Sequence, residues 1–451
     1  MFHRRSGSIS GTLAAALLLA VPAAPAHGDE FTIGAEVMID TRFFFEPDEF
    51  RTDNQIYFDP SAAIQPTVNY VFDSGVDTLR ATLFGRFDPT DDGRTHFDVR
   101  EAFYHHMGDG WDFLIGNNQV FWGVAESRHL VNVINQIDFV EDPDQEDFLG
   151  QPMVAFSVFG DWGMLDLYAM PYFRERQFHE EDSRFGFPIS VDDDANYESD
   201  MERWHPDFAA RYRITVSNWD LGVSHFYGTS RAPRWQLSPD GAFADTLIGQ
   251  AIDGAFVSVD DLDGLTDFLE ENGIDVGDTL ELVDEFISIR PYYDIINQTG
   301  IEAVGVYDDL ILKFEGATIT GYRGDRIWAM VGGFEYTFSD VDESGIDVGL
   351  LGEYLFDNRD LDDTPFTPWD NDIFAGVRVT FNDVNDTNIL FGGFVDLGGG
   401  STVLNLEASQ RIQDNMKVSV TGRGFVYTSE NDPLRFYDDN SYVELRLSVF
   451  F

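Results

Sequence analysis

The chain closes on Asn440-Ser441-Tyr442-Val443-Glu444-Leu445-Arg446-Leu447-Ser448-Val449-Phe450-Phe451. Val443, Leu445, Leu447, Val449 and Phe451 share one parity, and Tyr442, Glu444, Arg446 and Ser448 share the other. A period of two belongs to a strand with one apolar and one polar face. Terminal residues ordinarily fray into solvent. Alternation carried to a final aromatic is expected of a strand that closes a membrane barrel, with lipid outside and water within. The competing reading is the last strand of a soluble sandwich.

Other strands decide between the two. In Phe208–Val216, the residues Phe208, Ala210, Tyr212, Ile214 and Val216 would meet lipid, leaving Arg211, Arg213 and Thr215 inside. In Thr402–Ile412, Leu404, Leu406 and Ala408 alternate with Asn405, Glu407, Ser409 and Arg411. Lys313 and Glu315 repeat the pattern, as do Arg80, Thr82 and Arg86. A dry sandwich core carrying both signs of charge would cost several kcal/mol per ion. A wet lumen accommodates them. The abundance of aromatic residues, 15% of the chain, suits a lipid-facing band with interfacial girdles.

The start of the chain agrees. A basic beginning (His3, Arg4, Arg5), an apolar run from Leu13 to Val21 and the small residues Ala24-Pro25-Ala26 form the pattern of a secretory signal cut after about Ala26. Residues 1–26 are therefore expected to be a leader and 27–451 one barrel. No later stretch approaches the roughly 18 consecutive apolar residues of a membrane helix, so a membrane position demands strands. The chain has no cysteine, which excludes disulfides and thiolate metal sites. A formal charge of −53 excludes nucleic acid as a partner, because phosphates would be repelled.

Short strands joined by alternating tight and long connections give eighteen in all, with sixteen as the alternative. Turns such as Asp73-Ser74-Gly75 and Gly108-Asp109-Gly110 are the tight ones. The long ones include 122–151, Glu175–His205 and the excursion 228–291, the one stretch that reads as partly helical. There, Leu262–Glu271 and Thr279–Phe286 carry apolar residues at helical spacing behind the candidate caps Asp261 and Asp278. The excursion holds fourteen acidic residues against Arg231, Arg234 and Arg290. This acidity is open to three readings: a solvated surface suited to a saline habitat, a mouth that concentrates cations, or divalent cations bridging loops to anionic lipid head groups and lipopolysaccharide. Asp261, Asp263, Gly264 and Glu270 fall at positions of a calcium loop, but Val259 stands where its first carboxylate belongs. Loose, shared cation binding is the expectation, with no cofactor.

Residues 122–138 form the most distinctive stretch. Trp122-Gly123 ends a strand with an interfacial aromatic and a turn-permissive glycine. Ser127 or Glu126 is placed to cap a short helix, and Asn135 and Asp138 to brace the loop through the backbone. The stretch resembles the loop of a family of proteobacterial outer-membrane barrels of uncharacterised function, in which Trp-Gly-Glu-Ser leads to Asn-Val-Ile-Asn-Pro-x-Asp. The matching positions are Trp122, Gly123, Glu126, Ser127, Asn132, Val133, Ile134, Asn135 and Asp138; Val124 and Ala125 are inserted, and Gln136 stands in place of the proline. The terminal Phe451 strand likewise resembles the signature that the barrel-assembly machinery reads in Gram-negative outer-membrane proteins. The resemblance implies a barrel in the bacterial outer membrane and a loop folded inward.

No motif carries catalysis. His105 and His106 would point to opposite faces of a strand, and His96, His129, His179, His205 and His225 are scattered, so spacing forms no metal site. The chain has no Gly-rich phosphate loop, no H-E-x-x-H and no G-x-S-x-G. The functional expectation is a porin-like channel, not an enzyme, passing small hydrophilic solutes by diffusion with a weak preference for cations or neutral molecules. Its candidate wall residues are Arg80, Arg86, Arg211, Arg213, Lys313, Glu315, Glu407, Arg411, Glu444 and Arg446, which would equally serve as Arg–Glu ladders that stabilise the wall. Two alternatives stand: a loop-plugged barrel with a structural or surface role, and an uptake transporter for less polar substrates. The latter requires a continuous apolar lining, which the strands that can be phased do not show.

Overall fold

The period-two alternation builds the wall. The computed structural model describes residues 28–48, 55–180, 183–187, 189–239, 244, 246–257, 287–428 and 433–451. Its strands are β1 (Glu30–Phe44), β2 (Phe58–Val71), β3 (Asp77–Phe87), β4 (Phe97–Met107), β5 (Trp111–Asn118), β6 (Gln151–Gly160), β7 (Gly163–Met170), β8 (Asn196–Tyr197), β9 (Asp207–Val216), β10 (Trp219–Thr229) and β11 (Arg234–Pro239). The chain continues through β12 (Phe256–Val257), β13 (Ile287–Tyr293), β14 (Ile295–Tyr307), β15 (Leu310–Thr320), β16 (Ile327–Phe338), β17 (Asp347–Asp357) and β18 (Asn371–Thr380). It ends with β19 (Asn388–Asp396), β20 (Thr402–Gln413), β21 (Met416–Tyr427) and β22 (Tyr442–Phe450). All but β8, β11, β12 and β13 belong to a single sheet of eighteen strands, and β22 returns to pair antiparallel with β1. The sheet is closed, so its wall has no unpaired edge. Eighteen strands stand, and the alternative of sixteen falls.

The final strand is the seam. Ile39 pairs with Leu447 and Val37 with Val449, while Asp40 pairs with Arg446 and Arg42 with Glu444. On the inner face Arg42 bonds Glu444 at 2.9 Å and Arg446 bonds Asp40 at 2.6 Å. A slip of one residue would turn these four charges into lipid and the leucines inward. Register is thereby set by charge as well as by hydrogen bonding. Outward-facing Ile39, Phe43, Trp328, Phe391 and Leu445 are exposed to the surroundings, and together with their neighbours they supply the apolar belt that a bilayer covers.

The start of β1, the end of β22 and tight turns such as those at 217–218 and 308–309 lie at one rim, and the connections that follow β5, β7 and β10 leave from the other. Two-residue turns at the first rim place Ser217 and Asp308 at positive φ, 56° and 50°. Over the long-loop rim sits a four-stranded sheet in the order β12-β11-β13-β8. To the partly helical reading of the 228–291 excursion the structure adds strands. Arg234–Pro239 and Ile287–Tyr293 are strands, and the helix seen among the described residues of that excursion is α1 (Leu247–Ile252), capped by the Thr246 side chain accepting the Gly249 N–H at 2.9 Å. The helices expected at Leu262–Glu271 and Thr279–Phe286, the calcium-loop positions and the leader all lie outside the described residues.

Replacing Glu444 by alanine leaves Arg42 buried without its carboxylate. The expected loss is about 3–5 kcal/mol, read as a lower temperature for the heat-dependent gel shift of the folded barrel. An unchanged temperature would show that the seam pairs do not hold the wall.

Candidate functional site

Between β5 and β6 the chain does not stay at the rim. Residues 119–150 fold into the lumen, and their apolar side chains meet the wall. Trp122, Val131, Val133 and Ile134 pack with Met153, Met170, Ala209, Phe226, Ile296, Ile319 and Ile327, contributed by β6, β7, β9, β10, β14, β15 and β16. Trp122 is 1% exposed, with Tyr168 edge-on at 5.7 Å and the Arg211 guanidinium 5.4 Å from its ring centre. Gly123 takes a φ of 139°, and a Cβ there would lie 2.9 Å from His129 Nδ1. The glycine is required by both conformation and space.

The expected helix at Glu126–Ser127 does not form, for a physical reason. Two wall carboxylates collect the N–H groups it would have used. Glu315 accepts from Val124 at 2.6 Å, Ala125 at 2.8 Å and Val131 at 3.3 Å. Glu353 accepts from the backbones of Glu126 and Ser127, each at 2.8 Å, and from the Ser127 hydroxyl at 2.5 Å. Asn135 braces the loop through the backbone, as read from the sequence, and Asn132 does so as well. The Asn132 side chain accepts the Trp122 N–H at 3.1 Å, and the Asn135 amide spans Val120, Asn118 and Leu149.

The far half of the loop is tied down by ions. Glu141 receives Arg86 at 2.7 Å, and Arg86 also reaches Asp40 of β1 at 2.5 Å. The Asp138 side chain binds Arg100 at 2.5 Å and His96 at 3.2 Å, so ion pairing takes the place of the expected bracing through the backbone. Arg42 and Arg94 reach the Glu141 carbonyl. Burial alone would raise the Glu141 carboxyl, but the Arg86 and Arg94 charges outweigh it and hold it at about 2. His96 is shifted upward: burial opposes its charge, and the Asp138 hydrogen bond and charge prevail. His96, Asp138 and Glu141 thus converge within 4.8 Å, a grouping of metal-ligating types that spacing in the sequence did not reveal. Arg86 and Arg100 already occupy carboxylate oxygens of this group, and the arrangement is one of ion pairing.

The candidate wall residues divide into two sets. Arg86, Arg211, Glu315 and Glu444 do not face water: each is buried, and Arg86, Arg211 and Glu315 lie under the loop. Glu302 partners Arg211. Arg80 and Arg213 are open to the lumen, where they meet Glu101 at 2.7 Å and Asp166 at 3.1 Å. Arg446 belongs to the seam, and Arg411 lies near the short-turn rim in register with Lys417, without an ion pair among the described residues.

At the loop's free edge a ring of charge surrounds a gap. Glu126 binds Arg378 at 2.5 Å and Lys313 at 3.4 Å. Across from it, Arg423 gathers Asp144 at 2.6 Å, Glu407 at 3.0 Å and Asp142 at 3.7 Å. The Glu407 side chain is 51% exposed although it lies inside the barrel. Between this edge and the long loops is a cavity of about 620 Å³. Its wall includes Phe374, Phe394, Val403 and Phe425, part of a buried apolar cluster with Val331, Leu351 and Leu355. The lumen therefore has an apolar quadrant on β16–β21, a feature the strands phased from the sequence do not show. Glu353, Arg378, Arg423, Glu141 and Asp144 were all missed from the sequence, although Glu353 stands out as the one charge between Leu351 and Leu355.

No protein-family model and no curated relative matches the chain. Among solved structures, a triple mutant of the Rhodopseudomonas blastica porin is similar at 14% identity, with a TM-score of 0.40, 94% of this chain and 100% of that chain covered. A structure described as "Asymmetric conductivity of engineered proteins" is similar at 13% identity, with the same TM-score and coverage.

A carboxylate held below its ordinary 4.5 stabilises the folded form fully above that pH, and ever less as the pH falls toward 2. The loop is therefore expected to resist pepsin at pH 4 and to be cut at pH 2 while the barrel keeps its folded gel mobility. Replacing Gly123 by alanine should expose the loop to proteases at neutral pH; equal resistance would show that the seat does not depend on that glycine.

Proposed function

We propose that this protein is a bacterial outer-membrane channel in which the inward loop narrows a water-filled lumen without filling it. The observation that carries this reading is Glu407, half-exposed inside a closed barrel and facing the gap beside Arg423 and Asp144. A charge in that position keeps its water only if solvent reaches it along the lumen. Arg80 and Arg213, each more than 40% exposed by side chain, extend the wet surface. Solutes then diffuse between the loop edge and β18–β21, screened by the ring of charge.

The ring favours cations and neutral molecules over anions. Three carboxylates share the single guanidinium of Arg423, and the long loops above add further acid, as in Asp192-Asp193-Asp194. Local negative potential raises cation concentration at a mouth. The apolar quadrant supports a second reading, a preference for solutes with an apolar face.

Single-channel recording in planar bilayers tests the channel. The expected result is a steady conductance with cation preference, and Asp144→Asn with Glu407→Gln should lower the cation-to-anion permeability ratio at least ~2-fold. Inserted, folded protein without conductance would overturn the reading.

A further inference from the structure

The chamber of about 620 Å³ is chemically two-sided. On the wall, Trp369 stacks on Phe394 at 4.2 Å and 26°, and Tyr437 stacks on Phe425 at 5.5 Å and 20°. Beside these aromatic pairs stand arginines with too few acids, and Arg128 donates to the Trp369 carbonyl at 3.3 Å. Arg128 and Arg359 share one carboxylate, Asp357, at 3.1 and 2.8 Å. Burial and the Arg359 charge together push the Arg128 guanidinium down to about 10. Arg176 also lines the chamber and has no carboxylate partner among the described residues; it donates to the Arg231 carbonyl at 3.1 Å and to the Gln136 side chain at 3.4 Å. Burial shifts Arg176 downward as well.

Each acid around the chamber, by contrast, already has a basic side chain as partner, although Asp144 and Glu407 share one guanidinium. Glu126 holds Arg378 and Lys313, Glu146 holds His129 at 3.0 Å, and Asp144 and Glu407 hold Arg423. A half-buried cation without an acid attracts an anion strongly, because charge-assisted hydrogen bonds gain in a drier site. An apolar, aromatic wall beside it favours an apolar body. The carboxylates that share Arg423 at the chamber's edge disfavour a ligand of higher negative charge.

We propose that the chamber is a binding site for an amphipathic monocarboxylate. Its carboxylate would meet Arg176, with Arg128 and Arg359 adding positive potential, and its ring or short alkyl chain would lie against Trp369 and Tyr437. The size fits a small organic acid, since pockets of ~300–1,000 Å³ hold such ligands. This inference rests on the channel reading for the route by which the ligand arrives, and the binding itself is independent of conduction.

The test is titration of the full-length barrel in detergent with 3-phenylpropionate, followed by tryptophan fluorescence and calorimetry, beside 3-phenylpropan-1-ol and 3-phenylpropylamine. The carboxylate should bind at least ~10-fold more tightly than the alcohol or the amine. Arg176→Gln should weaken the acid ~10- to 100-fold and leave the alcohol unchanged, whereas Trp369→Ala should weaken both. Equal binding of the alcohol or amine, or no effect of Arg176→Gln in a barrel with native heat-dependent mobility, overturns the site. The three-ligand comparison on the unaltered protein decides the matter even where a variant fails to fold. Bilayer conductance separates the two readings: binding without conductance overturns the channel alone, and conductance without selective binding overturns the site alone.

Discussion

Arg86 holds Asp40 of the first strand with one nitrogen and Glu141 of the inward loop with others. Much of the architecture depends on this kind of join. A wall one strand thick, with lipid on its outer face, must send every charge inward. A charge covered there by a loop has lost its water and must be paired or cost several kcal/mol. The loop brings carboxylates to Arg86 and Arg100 and backbone carbonyls to Arg42 and Arg94, whose own acids are Glu444 and Asp88, and this fixes residues 138–141 against that side of the wall.

The opposite half of the loop uses the converse arrangement. There the wall supplies the acids, Glu315 and Glu353, and the loop supplies backbone donors. A loop with no helix would otherwise leave those N–H groups buried and unsatisfied. Pinned at both ends, it crosses the lumen as a ledge. Its free edge carries Glu126 and Asp144, and the function proposed for the protein takes place in the space between that edge and β18–β21.

The barrel was legible because its signal is local. Alternation in Tyr442–Phe450 and Asp207–Val216 reports one lipid face and one polar face without knowledge of any partner strand. The inward loop was legible at Trp122, Gly123 and Asn135, whose roles are filled within the loop or by a close approach. What the sequence could not show is pairing at a distance: Ser127 meets Glu353 across 226 positions, and Arg42 meets Glu444 across 402. The apolar quadrant escaped for a different reason. In Asp347–Asp357 leucines fall on both faces, and the inward Leu351 and Leu355 share their face with Asp347, Glu353 and Asp357, whose charges mark it as polar. The metal-ligating trio escaped because His96 comes from a different segment from Asp138 and Glu141, and its arginine neighbours give it a structural meaning.

The most direct test of the seated loop is a disulfide between its outward run and the wall. A Cβ at Gly300 of β14 would lie 3.3 Å from the Val131 Cβ, close to the separation a disulfide needs. The chain has no native cysteine to interfere. In cells exporting the protein with Val131→Cys and Gly300→Cys, the account predicts spontaneous, near-complete cross-linking in a barrel that keeps its folded gel mobility. Two free thiols in a folded barrel would contradict it, and the loop would then have to lie elsewhere than across the lumen.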